Sequence, residues 1–295
     1  MKFKENSVAT RGMIFAGCSF TWGQGLYYYS HLPSLKEPPP NNYFPHFVKW
    51  SHYEYMKTVR FPRLVASHFD TFELCQPWNG GAPNTVNKWW RERFKHSSDS
   101  FEEWPHTSGP TKSIVEWNDA SFKNQLYDYQ DFSYIIYQFT QWGRNPSYYK
   151  VDKNGDPINS HGEVMGSQEF RDWLITQNMT IDEYTHNAKE QIITDTVDLL
   201  QTFESNGVKV YVMVWPDELI DYVKNNTWLN DRLIEFNYKN EHYSNIYELM
   251  RCNDELKIDS DYDSFEEPPK DHHPSLLCHK VMADHIIKRI ERDYE

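Results

Sequence analysis

Short apolar runs alternate along this chain with longer stretches in which apolar residues return every three or four positions. Met13-Ile14-Phe15-Ala16-Gly17 is the first run, ended by glycine, and Thr71 to Cys75 is a candidate second. Phe132 to Phe139 (FSYIIYQF) and Val208 to Trp215 (VKVYVMVW) are longer and almost wholly apolar, as strands covered on both faces are. Between them lie helical patterns. Phe61 to His68 offers Leu64, Val65 and Ala66 for packing, and a helix starting near Asn84 offers Val86, Trp89 and Trp90. Ile181 to Phe203 carries a buried stripe of Ile192, Ile193, Thr196, Leu199 and Leu200, and Asn206-Gly207 supplies a left-handed cap to end it. Glu218 to Lys224 reads as a helix and Asn245 to Leu249 as a short fifth strand. His279 to Arg292 closes the chain as an amphipathic helix with Val281, Met282, Ile286, Ile287 and Ile290 on or near one side.

Strand and helix in alternation predict an α/β fold, a parallel sheet with helices on both faces. The expected form is a single domain over 1–295 with insertions near 26–60, 91–130 and 143–180. These stretches are polar or irregular, and the first contains Pro38-Pro39-Pro40. All three should emerge near the carboxyl ends of strands, where open α/β sheets place their ligands.

Charge and cysteine content narrow the partners. The formal net charge is −13 with no concentrated basic run, which argues against nucleic acid or an anionic membrane surface as a partner. No run of 18 apolar residues occurs, so no membrane insertion is expected. Met13 to Gly17 is too short for a signal-peptide core. Cys18, Cys75, Cys252 and Cys278 are scattered without a CxxC pair, which fits a reducing, cytoplasmic setting.

Two metal-like patterns fail on inspection. Asp259-Ser260-Asp261-Tyr262-Asp263 opens like a calcium loop, but its sixth position is Ser264 and its twelfth Lys270. Cys278, His279 and His285 match no usual zinc spacing. No metal and no cofactor is expected.

Two motifs carry nucleophilic chemistry. Gly17-Cys18-Ser19-Phe20-Thr21-Trp22-Gly23 follows the first strand directly. A serine there sits at a strand's carboxyl end, near a helix N-terminus whose N–H groups and dipole can hold an oxyanion. The plain structural alternative is that Ser19 only caps the helix. Asp271-His272-His273-Pro274-Ser275 precedes the last helix. A histidine tied to a carboxylate is the usual general base for a serine hydroxyl, and proline after it fixes the backbone at the helix start.

Together, and in this order, these motifs resemble the SGNH/GDSL hydrolase family. In that family a Gly-Asp-Ser-like motif follows the first strand and an Asp-x-x-His motif lies near the C-terminus. Oxyanion donors come from a glycine after the second strand and an asparagine after the third. Gly17-Cys18-Ser19 matches the first motif, with Cys18 in place of the aspartate. Asn79-Gly80-Gly81-Ala82-Pro83-Asn84 is similar to the glycine motif, with Gly81 or Gly80 as the donor. Asp271 and His273 match the last motif at a spacing of two rather than three. After the third strand the chain has Thr140-Gln141-Trp142-Gly143-Arg144, so Trp142 stands where the asparagine belongs. Gln141 is the nearest amide donor, with Gln138 behind it.

The resemblance implies a three-layer α/β/α domain with a five-stranded parallel sheet in flavodoxin-like order. It also implies a cofactor-free serine esterase or acyl-hydrolase: Ser19 nucleophile, His273 base, Asp271 orienting it, and Ser19, Gly81 and Gln141 around the oxyanion. Trp142, Arg144 and Asn84 fall on the substrate side, and Arg144 could grip an anionic group. The expected substrate is a small-molecule or glycan ester. Insertions rich in Trp, Tyr and Phe lean towards an O-acylated carbohydrate. The competing reading is a non-catalytic carbohydrate-binding or structural protein on a hydrolase-derived fold.

Overall fold

A computed structural model describes residues 11–18, 21, 23, 26, 50–75, 83–94, 127–142, 168–258 and 273–295. Four parallel strands form its main sheet: β1 (Gly12–Ala16), β2 (Glu73–Cys75), β3 (Phe132–Phe139) and β4 (Lys209–Val214), in the order β2-β1-β3-β4. Ala16 aligns with Tyr137, and Gln138 aligns with Met213. The sheet is parallel as the apolar runs predict, and all of β1 is buried.

Helices flank these strands: α1 (Trp50–Val59), α2 (Phe61–His68), α3 (Pro83–Arg93), α4 (Gln168–Thr176), α5 (Ile181–Ser205), α6 (Asp217–Asn225), α7 (Thr227–Asn230), α8 (Ile246–Cys252) and α9 (Leu276–Arg292). Side-chain alternation divides the interior in two. Met13, Phe15, Tyr134, Ile136, Tyr211 and Met213 leave the sheet on one face, where α2, α8 and α9 cover them with Phe61, Leu249 and Met282 among others. Ile14, Ile135, Tyr137, Phe139, Val210 and Val212 leave it on the other, against Trp90, Leu200, Phe203 and Leu219 of α3, α5 and α6.

Both ends of α5 have a local cause. Thr180 caps α5 through a capping box with Glu183. Gly207, at φ +82°, takes the left-handed position just beyond the helix. On the second face, Phe94, Tyr129, Phe132 and Phe203 meet ring to ring at 4.8–5.7 Å, so part of the aromatic content serves the core.

The expected fifth strand is a correction. Asn245–Leu249 is not extended: Asn245 caps α8, its side-chain oxygen accepting from Glu248 N at 2.7 Å. Ile246, Leu249 and Met250 are then buried at helical spacing. Beyond β4 the described chain makes a single parallel bridge, Leu233 to Val212, where another strand would lie. A two-stranded antiparallel hairpin follows, β5 (Phe236–Tyr238) and β6 (Glu241–Tyr243). Its two-residue loop, Lys239-Asn240, has both φ values positive, as a type I′ turn requires. The third insertion is not irregular throughout either, since α4 lies within it.

Candidate active site

Strand order decides what surrounds the loop after β1. With β1 between β2 and β3, a loop leaving its carboxyl end is flanked by the ends of both neighbours. Connections run in opposite senses from β1 and β3, so their boundary is a switch point where open sheets bind ligands.

Thr21 spans that boundary. Its hydroxyl donates to Gln138 Oε1 at 2.6 Å, tying the loop to the end of β3. Its backbone oxygen accepts from the Cys75 thiol at 3.6 Å, tying the same residue to β2. Desolvation pushes the Cys75 thiol up to about 12, so it remains a protonated donor. The Cys18 thiol, also buried, makes a second contact to Gln138 Oε1 at 3.5 Å. Gly17 permits this closeness. A Cβ there would lie 2.2 Å from Thr21 Oγ1 and 2.8 Å from Gln138 Oε1, shorter than any van der Waals contact.

Gln138 is fully buried. Its carbonyl oxygen accepts from two side chains, but its amide Nε2 has no hydrogen-bond partner among the described residues. A buried donor left unpaired costs about 1–3 kcal/mol. Through its carbonyl oxygen this side chain contacts Cys18 and Thr21, the described residues before and after Ser19 in the sequence. Gln141 lies three residues further on and is partly exposed. Trp142 packs toward Phe170, Leu174 and Tyr184 and reaches the core on the Tyr137 side of the sheet. Lys189 Nζ stands 5.5 Å from its ring centroid.

The other end of the loop meets α2. Gly23 has φ +91°, and a Cβ on it would approach Arg60 Cβ at 3.1 Å. Arg60 is buried and pairs with Glu73 of β2 at 2.7 Å. At the next residue, Phe61 N donates to Nδ1 of His279 at 3.2 Å, and the two rings stack at 5.7 Å. A first-turn side chain of α9 thereby satisfies an otherwise open N–H of α2. Burial, with smaller contributions from the charges of Arg60 and His273, lowers the His279 pKa to about 3, so this imidazole stays neutral.

His273 sits half-buried three residues before α9. Its carbonyl accepts from Ile258 N at 3.1 Å, and Ser275 N donates to Leu256 O at 2.8 Å. Ser275 also caps α9 by accepting from Cys278 N. Backbone bonds on both sides of Pro274 therefore fix where His273 leaves the chain. Cys278 is buried in the core and the His285 Nε2 accepts from Asn237 N, so these residues and His279 serve separate packing roles. Among the described residues, no group of three or more His, Cys, Asp or Glu gathers as metal ligands would.

Of the residues expected to form the site, Ser19, Gly80, Gly81, Arg144 and Asp271 lie outside the described residues. Asn84 is the second residue of α3. Sequence reasoning gave no site role to Thr21, Arg60, Glu73 or His279. Only Thr21 had a usable signal, a hydroxyl two residues beyond Ser19 in the motif that follows β1.

No protein-family model matches the chain, and no curated protein matches it. One similar solved structure is that of a carbohydrate esterase whose active site displays divergent catalytic and non-catalytic binding functions. The identity is 13% and the TM-score 0.41, over 99% of this chain and 67% of that one. No described helix is long and apolar enough to cross a membrane.

Proposed function

We propose that the protein is an ester hydrolase of the SGNH type, on a three-layer, flavodoxin-like sheet. Ser19 Oγ attacks the ester carbonyl carbon and its proton passes to His273. The tetrahedral oxyanion is held by the backbone N–H groups of Ser19 and Gly81 and by a side-chain amide. Collapse breaks the bond to the alcohol, which leaves with the proton from His273. Water, deprotonated by the same imidazole, then releases the acid from Ser19. Asp271 orients the ring and stabilises its charged form. Trp142, Arg144 and Asn84 take the substrate side, and an O-acylated carbohydrate is the favoured substrate class.

One observation carries this reading: the buried Gln138 amide, unpartnered at Nε2 among the described residues, beside the nucleophile loop at the β1/β3 boundary. The resemblance calls for an amide donor after the third strand. Gln138 supplies one from the strand's own end, in place of Gln141. A preorganised donor for charge that develops only in the transition state stays unpaired in the resting protein.

The test is steady-state hydrolysis of small acetyl esters and acetylated sugars. The unmodified protein should exceed a Ser19→Ala blank by at least about 1000-fold, the scale of triad contributions. Arg144→Ala should mainly raise KM on anionic esters. Equal rates for the unmodified protein and Ser19→Ala on every ester would overturn the reading and favour a non-catalytic binding protein.

A further inference from the structure

Gln138 could present either end of its side chain to the site, and only one end is useful. An amide oxygen facing a developing oxyanion would repel it, whereas the NH₂ group would stabilise it. Sterics alone distinguish poorly between the two, since carbonyl and amino groups are nearly the same size. Hydrogen bonding can make the choice. The Thr21 hydroxyl donates to Oε1 at 2.6 Å and the Cys18 thiol contacts the same oxygen at 3.5 Å.

We infer that Thr21 is a positioning residue whose hydroxyl fixes the orientation of the Gln138 amide, so that its N–H group serves the reaction. This rests on the ester-hydrolase reading. Three features support it. The Thr21–Gln138 bond is fully buried at both ends, where water cannot compete. Gly17 leaves no room for a Cβ between the two side chains, so the loop is fitted around this bond. Thr21 is also held from behind by the Cys75 thiol on its carbonyl oxygen, which limits drift of the hydroxyl. The two residues of the contact come from beyond β1 and from the end of β3, so the bond ties the donor to the segment that follows β1.

The experiment is a double-mutant cycle with kinetics on one acetyl ester. Thr21→Val removes the hydroxyl at nearly constant volume, Thr21→Ala removes it without any risk of overpacking, and Thr21→Ser restores it. Thr21→Val and Thr21→Ala should each lower kcat about tenfold with KM little changed, a misoriented group costing up to about 100-fold. Thr21→Ser should stay within about threefold of the unmodified protein, given that the hydroxyl is retained. In a Gln138→Ala background the same Thr21 substitutions should change kcat by less than about twofold, because coupled residues are not additive. Full kcat in both hydroxyl-deleted variants overturns the inference, as does an undiminished Thr21 effect without Gln138. If the unmodified protein is no faster than Ser19→Ala, the hydrolase reading itself has failed and this inference falls with it.

Discussion

Tyr137 and Gln138 are neighbours in β3, both fully buried, and they face opposite sides of the sheet. On its side Tyr137 donates to Asn87 Oδ1 at 2.7 Å, and Asn87 Nδ2 donates to Thr196 Oγ1 at 3.0 Å. Burial raises the Tyr137 pKa, so the phenol stays a donor. Each group in that chain is engaged, and the network ties β3 to α3 and α5. Gln138 is instead saturated at its carbonyl and, among the described residues, unpaired at its amide. Both side chains lost water on folding, but among the described residues Tyr137 finds a hydrogen-bond partner for its hydroxyl and Gln138 finds none for its amide nitrogen. A network of the first kind specifies a core. One of the second kind persists only where surrounding structure over-determines it, and such places cluster at functional sites.

The comparison can be broken by deleting each partner in turn. Gln138→Met fills the space and removes the amide. It should lower kcat about 100-fold through loss of the proposed oxyanion donor, with KM changed far less. Its thermal midpoint should fall as well, because Gln138 Oε1 accepts from the buried Thr21 hydroxyl, and leaving that hydroxyl unpaired costs about 1–3 kcal/mol. Steady-state kinetics and thermal denaturation on the same sample check both halves.

His279 sharpens the contrast through pH. It is buried on the Gln138 face, and its folded pKa of about 3 lies below the ordinary 6.5. Between those values the unfolded chain binds a proton that the folded chain does not. The contribution is therefore fully present above about pH 6.5 and is lost as pH falls toward 3. The slope should be about 1.4 kcal/mol per pH unit. His279→Asn offers an oxygen to Phe61 N but does not titrate, so it should flatten the stability profile by that slope. Urea midpoints between pH 4 and 7 measure it.

Tyr137→Phe should lower stability without the kinetic loss expected of Gln138→Met. It strips the donor from Asn87 and should cost about 1–3 kcal/mol of stability. Its kcat should stay within about twofold of the unmodified value, because no oxyanion donor is lost. A comparable loss of kcat in Tyr137→Phe would erase the distinction between the two faces. The smallest effect belongs to Asn245→Ala, the cap of α8, at about 1 kcal/mol and no change in kcat.

Strands β1, β3 and β4 were legible as apolar runs with few polar interruptions, whereas β2, Glu73–Cys75, holds only Leu74 buried and was marked by its place between a helix and a glycine-rich stretch. The long helix α5 was legible from its stripe and its Asn-Gly ending. The segment after β4 was misread because Asn245-Ile246-Tyr247-Glu248-Leu249 contains apolar residues at a spacing short enough to pass for a strand. Its Asn-x-x-Glu start is a capping signal, and that signal outweighs the local apolar content. The β5–β6 hairpin was missed because Lys239-Asn240 lacks the glycine that usually marks a type I′ turn. At the candidate site, the sequence offered motifs after β1 and before α9, and Ser19 and Asp271 of those motifs lie outside the described residues. The Gln138 contact could not be fixed, because two glutamines stand near the strand's end. Which one turns inward follows from strand alternation and from the absence of a Cβ at Gly17, both facts of packing.

The proposed function makes Ser19 an activated nucleophile. Reaction with a fluorophosphonate tests it most directly: the serine oxygen displaces fluoride from phosphorus and its proton passes to His273. Intact-mass spectrometry and peptide mapping should show one adduct per chain, on Ser19. The adduct should be absent in Ser19→Ala and form about 1000-fold more slowly in His273→Ala, in line with loss of a triad base. No adduct on the folded, unmodified protein, or an adduct that forms equally fast without His273, would contradict the account.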